Sequence, residues 1–495
     1  MKNTEKGMEC HRKKPPPGLA FFFWLCYSME KTERKRYKMQ KRKHDDLIQG
    51  SIWKGILLFA LPILLGQIFQ QLYNTADAWI VGQYRSDQEY AAVTSTASLA
   101  FLLIGFFGGI AMGAGVVIAR YYGAGDKVKL KQSVYTSVIF GLFAGVFLSV
   151  VGVLLTPHLL QWMGTPPEIL PYSTEYFRYY FMGIFAVVLY NMSMGILRAV
   201  GDSKHPLYYL IFSSLLNIAL DFLFVGYLDW GVWAAAMATT ISQFASAVLC
   251  IFRLMRYKTD YQFRIRDKAF RFSSLLEIIR YGLPSGIQNS IIAFANVIVQ
   301  TNINSFGEDT VAGAGTFAKL EGFAFLPITC FTMALTTFVS QNLGARQFDR
   351  AKKGTRFGLI CCVVMAEVIG VLLILFKRPL VGFFTDNPAA MDVAMRQADV
   401  EALFFCMLAL SHCIAAILRG AGRPMIPMLV MLGAWCVLRV SYISILVPIV
   451  QKDWIIFSAY PVTWTVSSIV FLIFYFCTDW VHTYEKCRKK EPQNK

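Results

Sequence analysis

Twelve apolar stretches, each of about the ~20 residues that cross a bilayer as a helix, run from near Gly55 to near Cys477 with short polar connections between them. Hydrocarbon offers no partners to backbone N–H and C=O groups, so each stretch must satisfy its own hydrogen bonds, and the expected fold class is an all-α polytopic membrane protein. Little of the 495-residue chain remains for a soluble domain. Charged residues make up 16% of it, below the ~25% usual in soluble domains. The net charge of +17 does not point to nucleic acid, because Lys and Arg lie between the apolar stretches and form no single basic face. The bilayer is the expected partner.

The 11 cysteines mostly sit inside apolar stretches, with no CxxC pair and no zinc-like spacing, and read as packing residues. The run from Leu19 to Tyr27 is too short to span a bilayer and lacks a small-residue cleavage site. A polar stretch follows Met39 and leads directly into helix 1, so residues 1–38 read as a possible over-extended start.

Basic residues concentrate on the cytoplasmic side of short loops. Here they alternate: Arg120, Lys127, Lys129 and Lys131 follow helix 2, Lys204 follows helix 4, residues 253–271 follow helix 6, Arg346 to Lys353 follow helix 8, and Arg423 follows helix 10. The intervening loops carry almost none, with Lys377, Arg378 and Lys452 as exceptions. Both termini are expected in the cytoplasm, which requires an even number of spans.

The second half repeats the first. Leu61-Pro62 recurs as Leu283-Pro284 at a shift of 222, and Ile196-Leu197-Arg198 with Gly201 recurs as Ile417-Leu418-Arg419 with Gly422 at a shift of 221. Gly123-Ala124 and Trp233 recur as Gly344-Ala345 and Trp454 at that same shift. Two six-helix lobes related by a pseudo-two-fold axis along the membrane normal follow, with a transport cavity between them. The expected organisation is a basic segment over residues 1–50, an N-lobe over 51–255, a linker over 256–274, a C-lobe over 275–480 and a basic tail over 481–495.

Polar groups in a bilayer are costly and mark cavities or ion paths. Gln67, Gln70, Asn74 and Asp77 share one face of helix 1 at spacings of three and four, with Gln71 beside them. The amides, together with Asn289 and Asn296 of helix 7, are candidates for the substrate cavity; the alternative for the helix 1 amides is a hydrogen-bonded seam between helices. Asn217 and Asp221 share a face of helix 5, and at ~1.5 Å per residue Asp77, Asp221, Thr239 and Thr240 reach a similar depth in the outer half of the membrane. Two carboxylates there hold a proton between them or coordinate a hard cation such as sodium. The alternative is that both acids reach water or balance a base such as Arg178. In the second half Lys319, Glu321, Glu367 and Arg439 are expected to form a structural ion-pair cluster, with substrate contact as the other reading.

The run from Leu61-Pro62-Ile63 through Tyr73-Asn74-Thr75-Ala76-Asp77, the Asn217 and Asp221 pair, the two Ile-Leu-Arg motifs and the Gln341-Asn342-Leu343-Gly344-Ala345 turn together resemble the multidrug and toxin extrusion (MATE) family over about residues 45 to 480. The resemblance implies a V-shaped pair of six-helix lobes that exports organic, often cationic, compounds in exchange for protons or sodium ions. It implies that Asp77, Asn217, Asp221 and a helix 6 threonine form the N-lobe cation site and that Pro62 is a hinge of helix 1, with an ordinary proline kink as the alternative for Pro62. By the repeat, Val299, Leu438 and Tyr442 stand where Asp77, Asn217 and Asp221 would recur, and Asn289 and Leu408 stand near the places of the NorM-type acids. The DinF-type branch is therefore favoured over the NorM-type.

A secondary antiporter for drug-like small molecules is the expected function, in a bacterial cytoplasmic membrane and as a monomer. The competing reading is a flippase for lipid-linked saccharides or another lipid, which should place several bases in the N-lobe cavity. An enzyme is not expected: none of the 6 histidines stands in a HExxH motif, and no nucleophile elbow or P-loop occurs, so no cofactor or ATP is called for.

Overall fold

The computed structural model describes residues 47–162, 165–257 and 259–482. The possible over-extended start at 1–38, most of the 1–50 segment and most of the 481–495 tail lie outside the described residues. Twelve helices are long and apolar enough to cross a membrane, and among the described residues there is no strand. They are α1 Ile52–Tyr84, α2 Asp87–Gly123, α3 Lys127–Trp162, α4 Leu170–Ala199, α5 Lys204–Tyr227 and α6 Trp233–Arg256 in the first half. The second half comprises α7 Phe272–Asn304, α8 Glu308–Gly344, α9 Phe348–Leu375, α10 Pro388–Gly420, α11 Met425–Val450 and α12 Trp454–Cys477. The loop between α6 and α7 folds onto the first half, where Lys127 pairs with Asp260 at 3.1 Å and Lys131 with Asp267 at 2.8 Å.

Local chemistry explains why the repeated motifs look as they do. After α4, Gly201 takes φ +89° and its N–H bonds the Arg198 carbonyl at 3.0 Å, while Asp202 N–H bonds the Leu197 carbonyl at 2.9 Å. After α10, Gly422 takes φ +83°, with its N–H on the Arg419 carbonyl at 2.9 Å and Arg423 N–H on the Leu418 carbonyl at 2.9 Å. Both are Schellman turns, in which a left-handed residue satisfies the last helical carbonyls and glycine carries no Cβ penalty. The arginine of each Ile-Leu-Arg motif thus sits in a last helical turn, where the negative end of the helix dipole favours a cation.

The halves meet on the side that carries the ends of the described chain. There α2 lies backbone to backbone on α7: a Cβ on Gly109 would strike Gly286, and one on Gly113 would strike Gly282. Helix α8 packs on both α2 and α1. Gly123 abuts the Gln341 carbonyl while Gly344 abuts the Arg120 carbonyl, a reciprocal contact between repeat-related residues that lies astride the pseudo-two-fold axis. The first turns of α1 bury Ile56, Phe59, Ala60 and Ile63 within the core cluster of the second half.

Candidate cation site and interlobe cavity

The polar residues of α1, α5 and α6 converge in the first half. Asp221 and Asn217 are buried on one face of α5. Asn217 Nδ2 donates to Thr239 Oγ1 of α6 at 3.4 Å, and one turn further along α6 Gln243 Nε2 donates to the Tyr73 hydroxyl of α1 at 3.4 Å. The Asp77 and Asp221 carboxyls face each other within hydrogen-bonding reach. Tyr176 of α4 lies near both acids, with the Tyr180 ring stacked beside it. Asp77 Oδ1, both carboxyl oxygens of Asp221 and Asn217 Oδ1 are buried without a donor. Among the described residues no basic side chain pairs with either acid; Arg178, considered as a counter-charge from the sequence, is exposed and lines a separate cavity with Glu175. A π-helical turn, Phe222–Tyr227, begins immediately after Asp221, an irregularity common at functional sites.

Of the two candidate threonines, only Thr239 joins this cluster. Thr240 donates to the Ala236 carbonyl at 2.8 Å and packs on Gly183 of α4, because adjacent residues on a helix point about 100° apart. Gln70 lies beside the Tyr73 hydroxyl. Pro62 is buried inside an unbroken α1. Sequence reading missed Tyr73, Tyr176 and Gln243, whose only signal was a polar atom in an apolar helix.

The expected C-lobe cluster is regrouped. Glu321 and Arg439 do approach each other, but the third member is Glu401 of α10, which the sequence reading passed over. Glu401 is fully buried and accepts from Gln397 Nε2 at 2.8 Å, while Arg439 donates to Thr463 at 3.0 Å and stacks over Tyr460 at 4.3 Å. Lys319 is exposed and turns to the Phe384 ring at 5.7 Å, and Glu367 meets Cys406, so neither belongs to the cluster. Residues 319 and 321 are two apart on a helix and therefore point to different neighbours.

The places equivalent to the N-half acids are apolar or hydroxylic: Val299 is core, and the Tyr442 and Ser458 hydroxyls lie 3.0 Å apart. Tyr442→Asp is accordingly expected not to restore transport in an Asp221→Asn background, since no second acid or amide faces it. Recovered efflux in the double variant would show that the halves are interchangeable.

Between the halves lies a cavity of about 230 Å³. Met112, Met194 and Met333 contribute thioethers, Asn191 and Asn289 amides, and Arg198 and Arg419 guanidiniums. Of the six amides expected in the substrate cavity only Asn289 lines this one, with Nδ2 held by the Gly105 carbonyl at 3.0 Å. Gln67, Gln70, Gln71, Asn74 and Asn296 lie elsewhere, and Gln71, Asn74 and Asn296 are exposed. Among the described residues no group of three or more His, Cys, Asp or Glu could hold a metal ion.

The family model MatE matches the chain twice, over residues 62–223 and 284–444, which is the internal repeat seen from outside. A probable multidrug resistance protein YoeA of Bacillus subtilis is 28% identical, over 86% of this chain and 94% of its own length. A probable multidrug resistance protein NorM of Thermotoga maritima is 26% identical, over 77% of this chain and 82% of its own length. A solved structure described as the outward-facing conformation of a multidrug resistance MATE family transporter of the MOP superfamily superposes with TM-score 0.82 at 23% identity, covering 89% of this chain and 98% of the other. The duplicated match, the twelve helices and the acid-bearing first half agree: the chain belongs to the MATE family of multidrug efflux transporters.

Proposed function

We propose that the chain is a secondary antiporter of the bacterial cytoplasmic membrane that exports amphipathic, often cationic, drugs in exchange for protons or sodium ions, with both termini in the cytoplasm. The observation that supports this most is the Asp77 and Asp221 pair: two facing carboxyls inside the bundle with orphaned oxygens and no basic partner among the described residues. Such a pair takes up a positive charge, either a shared proton or a hard cation, and oxygen-only ligands suit sodium. Asn217 Oδ1 supplies a further orphaned oxygen and Thr239 holds that amide in place. The lack of a C-half twin of these residues makes coupling asymmetric and favours the DinF-type branch.

Met112, Met194 and Met333 around the interlobe cavity support binding of varied apolar shapes, because thioether side chains are polarizable and repack, while Arg198 and Arg419 in the same lining leave the attraction of a drug's positive charge to the Asp77 and Asp221 pair. With the chain ends inside, the α2–α7 contact seals the cytoplasmic side. Cells expressing the chain are expected to accumulate less ethidium than vector controls, and the difference should collapse when the proton and sodium gradients are both dissipated. Equal retention of ethidium and of a panel of other cationic drugs, with the protein present in the membrane, would remove the exporter reading.

A further inference from the structure

We propose that Arg198 and Arg419 form a two-armed binding site, at the floor of the interlobe cavity, for the phosphate or carboxylate group of a small anionic ligand. The two arginines are repeat mates, 221 residues apart, each in the last turn before a Schellman glycine. Their side chains line one cavity from opposite halves, so a group on the pseudo-two-fold axis meets both guanidiniums.

Neither arginine has an acidic partner among the described residues. Arg198 Nη1 reaches only the Met333 sulfur at 3.9 Å, and the Nε atoms of both are buried without a partner. Neighbouring polar groups do not offset the charge. Thr336 shares its one hydroxyl proton between the Thr332 and Ala416 carbonyls, Thr337 donates to the Met333 carbonyl, the Asn191 and Asn289 Nδ2 groups donate to backbone carbonyls, and all of these side chains are neutral. Other buried arginines are treated differently: Arg253 pairs with Asp202 at 3.0 Å, and Arg439 has Thr463, Tyr460 and the nearby glutamates.

Two like charges sharing an apolar-walled cavity repel, and the helix ends beneath them compensate only in part. An oxyanion resolves the arrangement, since a guanidinium presents paired N–H donors matched to phosphate or carboxylate oxygens. The volume of about 230 Å³ admits such a group with a few atoms of its substituent. The site is distinct from the acid pair and does not depend on the export reading, because it is tested by binding alone.

The experiment is isothermal titration of the purified full chain in a neutral detergent with inorganic phosphate and, separately, with dioctanoyl phosphatidate. One-to-one binding of phosphate is expected if the natural ligand is a free phosphate compound, and binding of phosphatidate alone if it is a lipid headgroup. Arg198→Gln and Arg419→Gln should each weaken binding about tenfold or more, the usual scale for a charged hydrogen bond, and lysine at either place should restore part of it. A Cβ on Gly108 would meet nothing within 4 Å, so Gly108→Leu fills the cavity while leaving both arginines in place and should also remove binding. Should the glutamine variants fail to elute as folded protein, Gly108→Leu decides. Failure of the wild type to bind either probe, or unchanged affinity in the folded variants, overturns the proposal.

Discussion

Asp77→Asn and Asp221→Asn are each expected to cut ion-coupled drug export severely while leaving the folded yield near that of the wild type. Each amide keeps the size of the carboxyl it replaces and removes only the titratable charge. Among the described residues neither carboxyl holds a basic side chain, so no ion pair there is lost. The new amide also donates toward the orphaned oxygens of the facing acid, a contact worth ~1 kcal/mol. On the proposed antiport mechanism, what disappears is the difference in ion occupancy between the two states of the transporter. Coupling free energies between sites are typically ~1–3 kcal/mol, so gradient-driven transport should fall by about 5- to 150-fold in each variant. Drug binding without a gradient should persist. Proteoliposome transport under an imposed proton or sodium gradient, beside size-exclusion profiles, measures both quantities. Wild-type transport by both variants would take the acids out of the mechanism, and loss of folded protein in both would make them structural.

Gly113→Val should be strongly damaging although it lies far from the acids. A Cβ there runs into the backbone of Gly282, which has no side-chain rotamer with which to yield. Overpacking of this kind costs ~1–3 kcal/mol, and the cost falls on the state in which α2 and α7 are in contact. Each 1.4 kcal/mol is tenfold in population, so the sealed state should lose about one to two orders of magnitude in occupancy. Transport should fall with it if each cycle passes through that state. Gly108→Ala is the packing control on the same helix, since its Cβ meets nothing, and the occupancy of its sealed state should be that of the wild type. Labelling of cysteines placed in the cavity, from each side of sealed vesicles, reads the state directly. Unchanged transport and labelling in Gly113→Val would show that the contact is not part of the cycle.

The acids of the first half were legible because a carboxylate in an apolar helix is rare and because rise per residue alone sets its depth. Their partners were not. Tyr73 and Gln243 look like ordinary helix residues until α1 and α6 are packed together, and the choice of Thr239 over Thr240 depends on helix rotation. Glu401 was missed for a related reason: it lies in a comparatively polar stretch of α10, and only packing brings it to Glu321 and Arg439.

Hydrophobic length, loop charge and the 221-residue shift are properties of the chain taken in order, so the sequence by itself determined the twelve helices, the duplication and the positions of the intramembrane acids. Which faces meet was decided only by the tertiary structure, because helix rotation and the approach of one half to the other depend on contacts between residues far apart in the chain. The two Ile-Leu-Arg motifs illustrate the division. Their recurrence is written in the sequence, but that Arg198 and Arg419 enter one cavity follows only from the pseudo-two-fold packing of the halves, since residues 221 apart share a site only when their helices are brought to the same axis.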